Sequence, residues 1–230
     1  MLLPSPATGD YTVTVRSFNV PNGPQPFALV VTGGFTAGGP TTVTFTSVAS
    51  QDGYVLESSE TSNAGGSGSS TSTGTSALRA GDATQDRQYK GFVSFNTSSI
   101  PDGATIVSAT LRLRRGTVAG TNPFGTHGTC WADVQTGGFS GSTTLQTGDF
   151  QAAATAVQAA SLTNAPNNLD WSEGGLNAAG LAAINKSGTT QLRVYFALGD
   201  NDDGGTDYIG WYSGDNATAA NRPQLVVTYQ

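Results

Sequence analysis

Over residues 11–16 the apolar Tyr11, Val13 and Val15 alternate with Thr12, Thr14 and Arg16, the period-two pattern of a half-buried strand. Phe27, Leu29 and Val31 recur at the same spacing over residues 27–32, which reads as a second strand. Between the two lies NVPNGPQP. Pro21 and Pro24 cannot donate to a ladder there and Asn22-Gly23 favours positive φ, so the reversal is encoded locally. TAGGP, residues 36–40, reads as a hinge. A lone two-stranded hairpin is marginally stable in water, so this one is expected to complete a sheet, in its own chain or in another copy.

From residue 41 onward short β-rich segments recur: VTFTSVAS, DGYVLES, ALRAG, KGFVSFN, ATIVSATLRLRR, CWADVQTG, TTQLRVYFAL, TDYIGWYSG and PQLVVTYQ, divided by Gly, Asn, Asp and Pro. In ATLRLRR, Ala109, Leu111 and Leu113 are expected to face inward and Arg112 and Arg114 outward; Leu192, Val194 and Phe196 oppose Arg193 and Tyr195 in the same way. GGSGSSTSTGTS, residues 65–76, has the composition of a flexible loop. Two alanine-rich stretches, DFQAAATAVQAASL and NAAGLAAINKSG, break the alternation. Asp149 and Asn177 precede them as N-caps and Gly188 closes the second, which predicts two short helices. The predicted fold is all-β: a jelly-roll-like antiparallel β-sandwich over residues 41–230 with two short helical insertions, preceded by an N-terminal β-hairpin appendage over residues 1–35.

Composition narrows the setting. Only 11% of the 230 residues are charged and lysine occurs just at Lys90 and Lys186, so hydroxyls and amides carry solubility, an extracellular style of surface. A net charge of −6 argues against a nucleic-acid partner, whose affinity comes from clustered Lys and Arg. The single cysteine, Cys130, rules out an internal disulfide framework. The opening MLLPSPATGD lacks a basic n-region, so an exported parent is expected to carry its signal outside this chain, and no segment is apolar enough to predict a membrane span.

Two stretches resemble known families. GDYTVTVRSFNVPNGPQPFALVVTGG, within residues 1–35, resembles the last strands of the jelly-roll domain that follows the catalytic domain of secreted subtilisin-like proteases, whose catalytic Asp, His and Ser have no counterpart here. LRAGDATQDRQYKGFVSFNTSSIPDGATIVSATLRLRR, TNPFGTHGT, AINKSGTTQLRVYF and DYIGWYSGDNATAANRPQLVVTY, within residues 41–230, resemble the DNRLRE-type modules and related carbohydrate-binding modules of secreted surface proteins. In DATQDRQYKGFVSFN, Asp86-Arg87 stands ahead of a strand as the nearest equivalent of the DNRLRE string. The resemblance implies a non-catalytic β-sandwich attached to a larger exported protein.

The candidate chemistry is sparse. His127, the only histidine, lies three residues before Cys130 in NPFGTHGTC, a dyad or a loop histidine beside a buried thiol, and no G-x-S-x-G elbow exists. GDNDDGGTD gathers Asp200, Asp202, Asp203 and Asp207, which repel one another unless a cation such as calcium sits among them or solvent screens them as an acidic turn. For sugars, Trp211 and Tyr212 must point to opposite faces of a strand, one core and one exposed. Tyr195 with Arg193, Arg112 and Arg114 completes a candidate surface for an anionic polysaccharide, or else these are core and solvated-face residues. The expected role is a non-catalytic extracellular module that attaches a secreted protease or surface protein to polysaccharide or the cell envelope. The alternative is a self-assembling fibre subunit in which Tyr11, Val13, Val15, Phe27, Leu29 and Val31 add strands to a neighbouring copy.

Overall fold

The computed structural model describes residues 12–16, 18, 22–24, 26–30, 32, 39–70 and 73–230. The chain falls into two units, 1–36 and 37–230. In the first, no described residue lies in a strand, and Val13, Val15, Phe27 and Leu29 are each more than half exposed (53, 53, 70 and 54%). The expected assembly residues Tyr11 and Val31 and most of the expected hinge lie outside the described residues.

The second unit is all-β, as expected, and its named strands pair antiparallel throughout. In chain order the strands are β1 (Thr41–Thr46), β2 (Gly53–Glu57), β3 (Gly65–Ser70), β4 (Leu78–Ala83), β5 (Arg87–Asn96), β6 (Ile106–Ala119), β7 (Cys130–Thr136), β8 (Ala156–Leu162) and β9 (Trp171–Gly175). A helix, α1 (Ala178–Ala182), follows, then β10 (Thr189–Phe196), β11 (Tyr208–Trp211) and β12 (Gln224–Tyr229). They form one curled sheet in the order β1-β12-β6-β11-β4-β5-β10-β7-β8, with β2 and β3 attached to β5 and β9 to β6. The 14-residue β6 makes the curl: its first part pairs with β12 and β9, and its last residues pair with β11.

Strand alternation builds the core. Ala109, Leu111 and Leu113 of β6 meet Leu192, Val194 and Phe196 of β10, with Trp211, Leu225 and Val227, in one buried cluster. A second cluster of Val55, Phe92, Phe139 and Phe150 forms where residues 137–152 fold over the opposite face of β5 and β10. The middle of the sheet is therefore covered on both sides.

Two segments of this unit depart from expectation, and a third forms as expected but closes early. Residues 65–70 of the glycine-serine run are not a loop but β3, laddered to β2. Composition disfavours a strand there, but packing requires the glycine: a Cβ on Gly65 would collide with the carbonyl oxygen of Thr147. The first alanine-rich stretch is not a helix but a 3-10 turn, Thr147–Phe150, followed by strand β8. Asp149 is not its N-cap; its Oδ2 accepts the Gln146 N–H at 2.8 Å from the third position of the turn. The alanines serve close packing, since the space beside α1 is so tight that a Cβ on Gly180 would lie 2.8 Å from that of Ala159. The second stretch does form a helix, and Asn177 Oδ1 caps it by accepting the Gly180 N–H at 3.0 Å. It closes at Ala183, five residues before Gly188.

Candidate ligand-binding site

Arg193 is not on a solvated face. Residues 137–152 bury it: Nη2 and Nε donate to Asp133 Oδ2 at 2.6 and 3.2 Å, and Nη1 donates to the carbonyls of Asp149, Phe150 and Ala152 at 3.0, 3.1 and 2.7 Å. Asp133 Oδ1 accepts the Tyr195 hydroxyl at 3.1 Å and the Gln158 N–H at 2.8 Å. Every strong acceptor of this buried pair is used, so Arg193 is a strut that fastens the 137–152 segment to β10. Trp211 is likewise no ligand platform: it is fully buried, and its indole N–H donates to Ser172 Oγ at 3.1 Å. Tyr212 is half-buried just past β11, its backbone N–H on the Arg114 carbonyl at 3.1 Å.

Tyr195 is placed differently. It lines a polar cleft of about 340 Å³ with Glu60, Asn63, Gln88, Lys90 and Asp200. The β2–β3 turn is held over this cleft by the buried Glu57, whose Oε1 accepts the Asn63 N–H at 2.6 Å and whose Oε2 accepts the Gln88 N–H at 3.2 Å. Lys90 Nζ sits 3.9 Å from the Phe150 ring centre and 5.4 Å from that of Tyr195, and donates to the Phe150 carbonyl at 3.2 Å. Burial, reinforced by the Arg193 cation, pushes the Lys90 ammonium down to about 8. Burial and the neighbouring Asp133 push the Tyr195 phenol up to about 12. Lys90 was not singled out in the sequence, although as one of two lysines in 230 residues its rarity was a signal.

A second polar surface lies on the outer face of β6 and β9. The register sets Arg112 opposite Glu173 and Arg114 opposite Trp171. Arg112 Nε lies 2.5 Å from Glu173 Oε1, and its Nη1 donates to Gln224 Oε1 at 3.0 Å. Both guanidiniums stack on Trp171, at 4.5 Å for Arg112 and 4.9 Å for Arg114.

In the acidic loop the carboxylates turn to protein donors. Asn201 Nδ2 donates to Asp203 Oδ2 at 3.1 Å and Asp207 Oδ2 at 2.8 Å, the Thr121 N–H reaches Asp207 Oδ1 at 2.6 Å, and the Asp202 N–H reaches Asp200 Oδ1 at 3.3 Å. Among the described residues no three His, Cys, Asp or Glu side chains converge as a metal site. His127 is buried and faces Asp82 rather than Cys130, its Nε2 3.4 Å from Asp82 Oδ2 and its Nδ1 2.8 Å from Thr126 Oγ1. Burial pushes both the Asp82 carboxyl and the Cys130 thiol up. Among the described residues no helix is long and apolar enough to cross a membrane. No protein-family model and no curated protein matches this sequence.

Proposed function

We propose that the chain is a non-catalytic extracellular module that attaches a secreted protease or surface protein to polysaccharide or the cell envelope, and that the cleft around Lys90 and Tyr195 is where it grips a glycan. The observation that carries this reading is Lys90 itself. A half-buried ammonium held beside a second cation opposes folding, and its carbonyl contact with Phe150 duplicates one that Arg193 already makes. Such an unfavourable group fits a ligand role: its remaining protons, the Asn63 amide and the Gln88 oxygen supply donors and acceptors for sugar hydroxyls. Affinity electrophoresis of the full chain through gels containing a panel of soluble polysaccharides tests the reading. At least one polymer should retard the protein, Lys90→Met should abolish that retardation without lowering Tm, and migration unchanged in every gel overturns it.

A second reading is favoured by a separate observation: Val13, Val15, Phe27 and Leu29 are exposed to solvent, as are Phe18 and Val30. In this reading the chain is a fibre subunit whose residues 11–32 add strands to a neighbouring copy, because main-chain ladders and alternate apolar side chains are what strand addition uses. Full-length protein should then sediment as polymers with filaments in electron micrographs, and Val13→Asp with Leu29→Asp should leave monomers. A full chain that stays monomeric at all concentrations excludes it.

A further inference from the structure

We propose that Arg114 anchors an oxyanion group, a carboxylate or a sulfate, of an acidic polysaccharide on the outer face of β6 and β9, a site separate from the Lys90 cleft. The inference rests on the reading of the chain as a glycan-attaching module and names a second contact and its ligand class.

The argument is the contrast between two arginines two positions apart. Arg112 has its anion in Glu173 and a further acceptor in Gln224. Among the described residues Arg114 has neither a hydrogen-bond acceptor nor a counter-ion for its guanidinium, and its Nε is buried with no partner. A guanidinium carries five donors in a rigid fork and gains most from a planar or tetrahedral oxyanion that takes two of them at once. Here the fork is already oriented. Trp171, itself stacked on Arg112, holds the Arg114 guanidinium at 4.9 Å from its ring centre, so little side-chain freedom remains to be lost on binding. The two guanidiniums stack on the Trp171 ring, which leaves charge-assisted hydrogen bonding rather than ring stacking as the means of recognition. Neutral sugars offer no such anion. Nucleic acid offers phosphates, but a chain of net charge −6 repels a long polyanion with a charge on every unit. A polysaccharide bearing spaced carboxylates or sulfates fits one free arginine beside one internally paired one.

The test is affinity electrophoresis and calorimetry of the full chain with hyaluronan, charged on alternate sugars, as the carboxylate source, κ-carrageenan, sulfated on alternate sugars, as the sulfate source and unmodified dextran as the neutral control. Wild-type protein should bind at least one acidic polymer, more weakly as salt rises, and should ignore dextran at this site. Arg114→Gln should weaken that binding at least about tenfold, and Arg114→Lys, which keeps the charge but not the fork, should weaken it less. Glu173→Gln frees Arg112 from its internal anion and should tighten binding. Thermal melts of the two Arg114 variants show that both are folded. Acidic-polymer binding that survives Arg114→Gln, or none by the wild type, overturns the inference; retardation by another polymer that is lost in Lys90→Met leaves the cleft reading standing.

Discussion

Arg193 and Arg114 occupy equivalent places in their strands, each on the face opposite a row of core residues, yet they have opposite fates. The outer face of β10 is roofed by residues 137–152, and Arg193 donates to carbonyls more than forty positions away in the sequence. On the outer face of β6, Arg112 and Arg114 stay partly exposed against Trp171. Alternation reports which side of a strand a residue occupies and says nothing about what covers that side, so the two arginines looked alike in the sequence. Their variants should not. Arg193→Ala leaves Asp133 buried without its cation and should cost about 3–5 kcal/mol in chemical denaturation. Arg114→Gln, which breaks no ion pair and no hydrogen bond to the guanidinium and loses only the stack on Trp171, should cost no more than about 1 kcal/mol. Trp211 follows the same logic. IGWYSG required one of Trp211 and Tyr212 to be core, and the residue that pairs across from Arg115 on β6 and reaches Ser172 is Trp211. Truncating it to alanine should cost about 3–5 kcal/mol in the same experiment.

At the scale of elements, each of the nine β-rich segments read from alternation contains a strand, because their apolar residues are large and β-branched enough to carry the period. β3 and β8 were illegible for a shared reason: small residues predominate in them and carry no period, while β9, WSEGG, is five residues long and ends in two glycines. Gly65 is present because the backbone of the 3-10 turn at Thr147 approaches it, and Ala159 because α1 does, contacts defined only once the chain has folded. Gly65→Ala should therefore destabilise by about 1–3 kcal/mol through overpacking against a backbone carbonyl, while Gly103→Ala, whose Cβ meets nothing within 4 Å, should be near neutral. Thermal melts of the two variants make the comparison, and equal losses would remove the close approach as the reason for a glycine strand. The acidic loop was legible as a cluster but not as a network, since Asn201 and the Thr121 amide supply donors that spacing among aspartates does not reveal. With those donors in place the carboxylates need no cation to hold them together, so melting temperatures in calcium and in chelator should agree; a rise with calcium that Asp203→Asn removes would place the ion in the loop.

For the whole molecule, buried titratable groups predict how stability changes with pH. Asp52 accepts the Ser47 hydroxyl at 2.6 Å, the Gly214 N–H at 2.8 Å and the Ser94 N–H at 3.2 Å, tying the end of β1 to β5 and to the turn after β11. Burial outweighs these donors and pushes its carboxyl from 3.8 up to about 7. Burial pushes Asp82 and Asp149 upward as well. A carboxyl whose folded pKa stands above its unfolded value binds its proton more tightly in the folded state. Its contribution to stability is then fully present below the unfolded value and is lost as pH rises through the folded one. For Asp52 that window runs from about 4 to about 7, so Tm should fall across it. Lys90 acts in the reverse sense. Its folded value of about 8 lies below 10.5, the unfolded state binds the extra proton, and stability should recover as pH rises above about 8. These groups together place a stability minimum near neutral pH, where many proteins are at their most stable. Melting curves at constant ionic strength from pH 4 to 9.5 check it. Lys90→Met should raise Tm most at pH 7 and progressively less above pH 8, whereas Asp52→Asn should lower Tm overall, by leaving a buried donor unmatched, and flatten the acidic limb. A Tm that climbs steadily from pH 4 to 7 in the wild type would mean that the three donors, not burial, set the charge of Asp52.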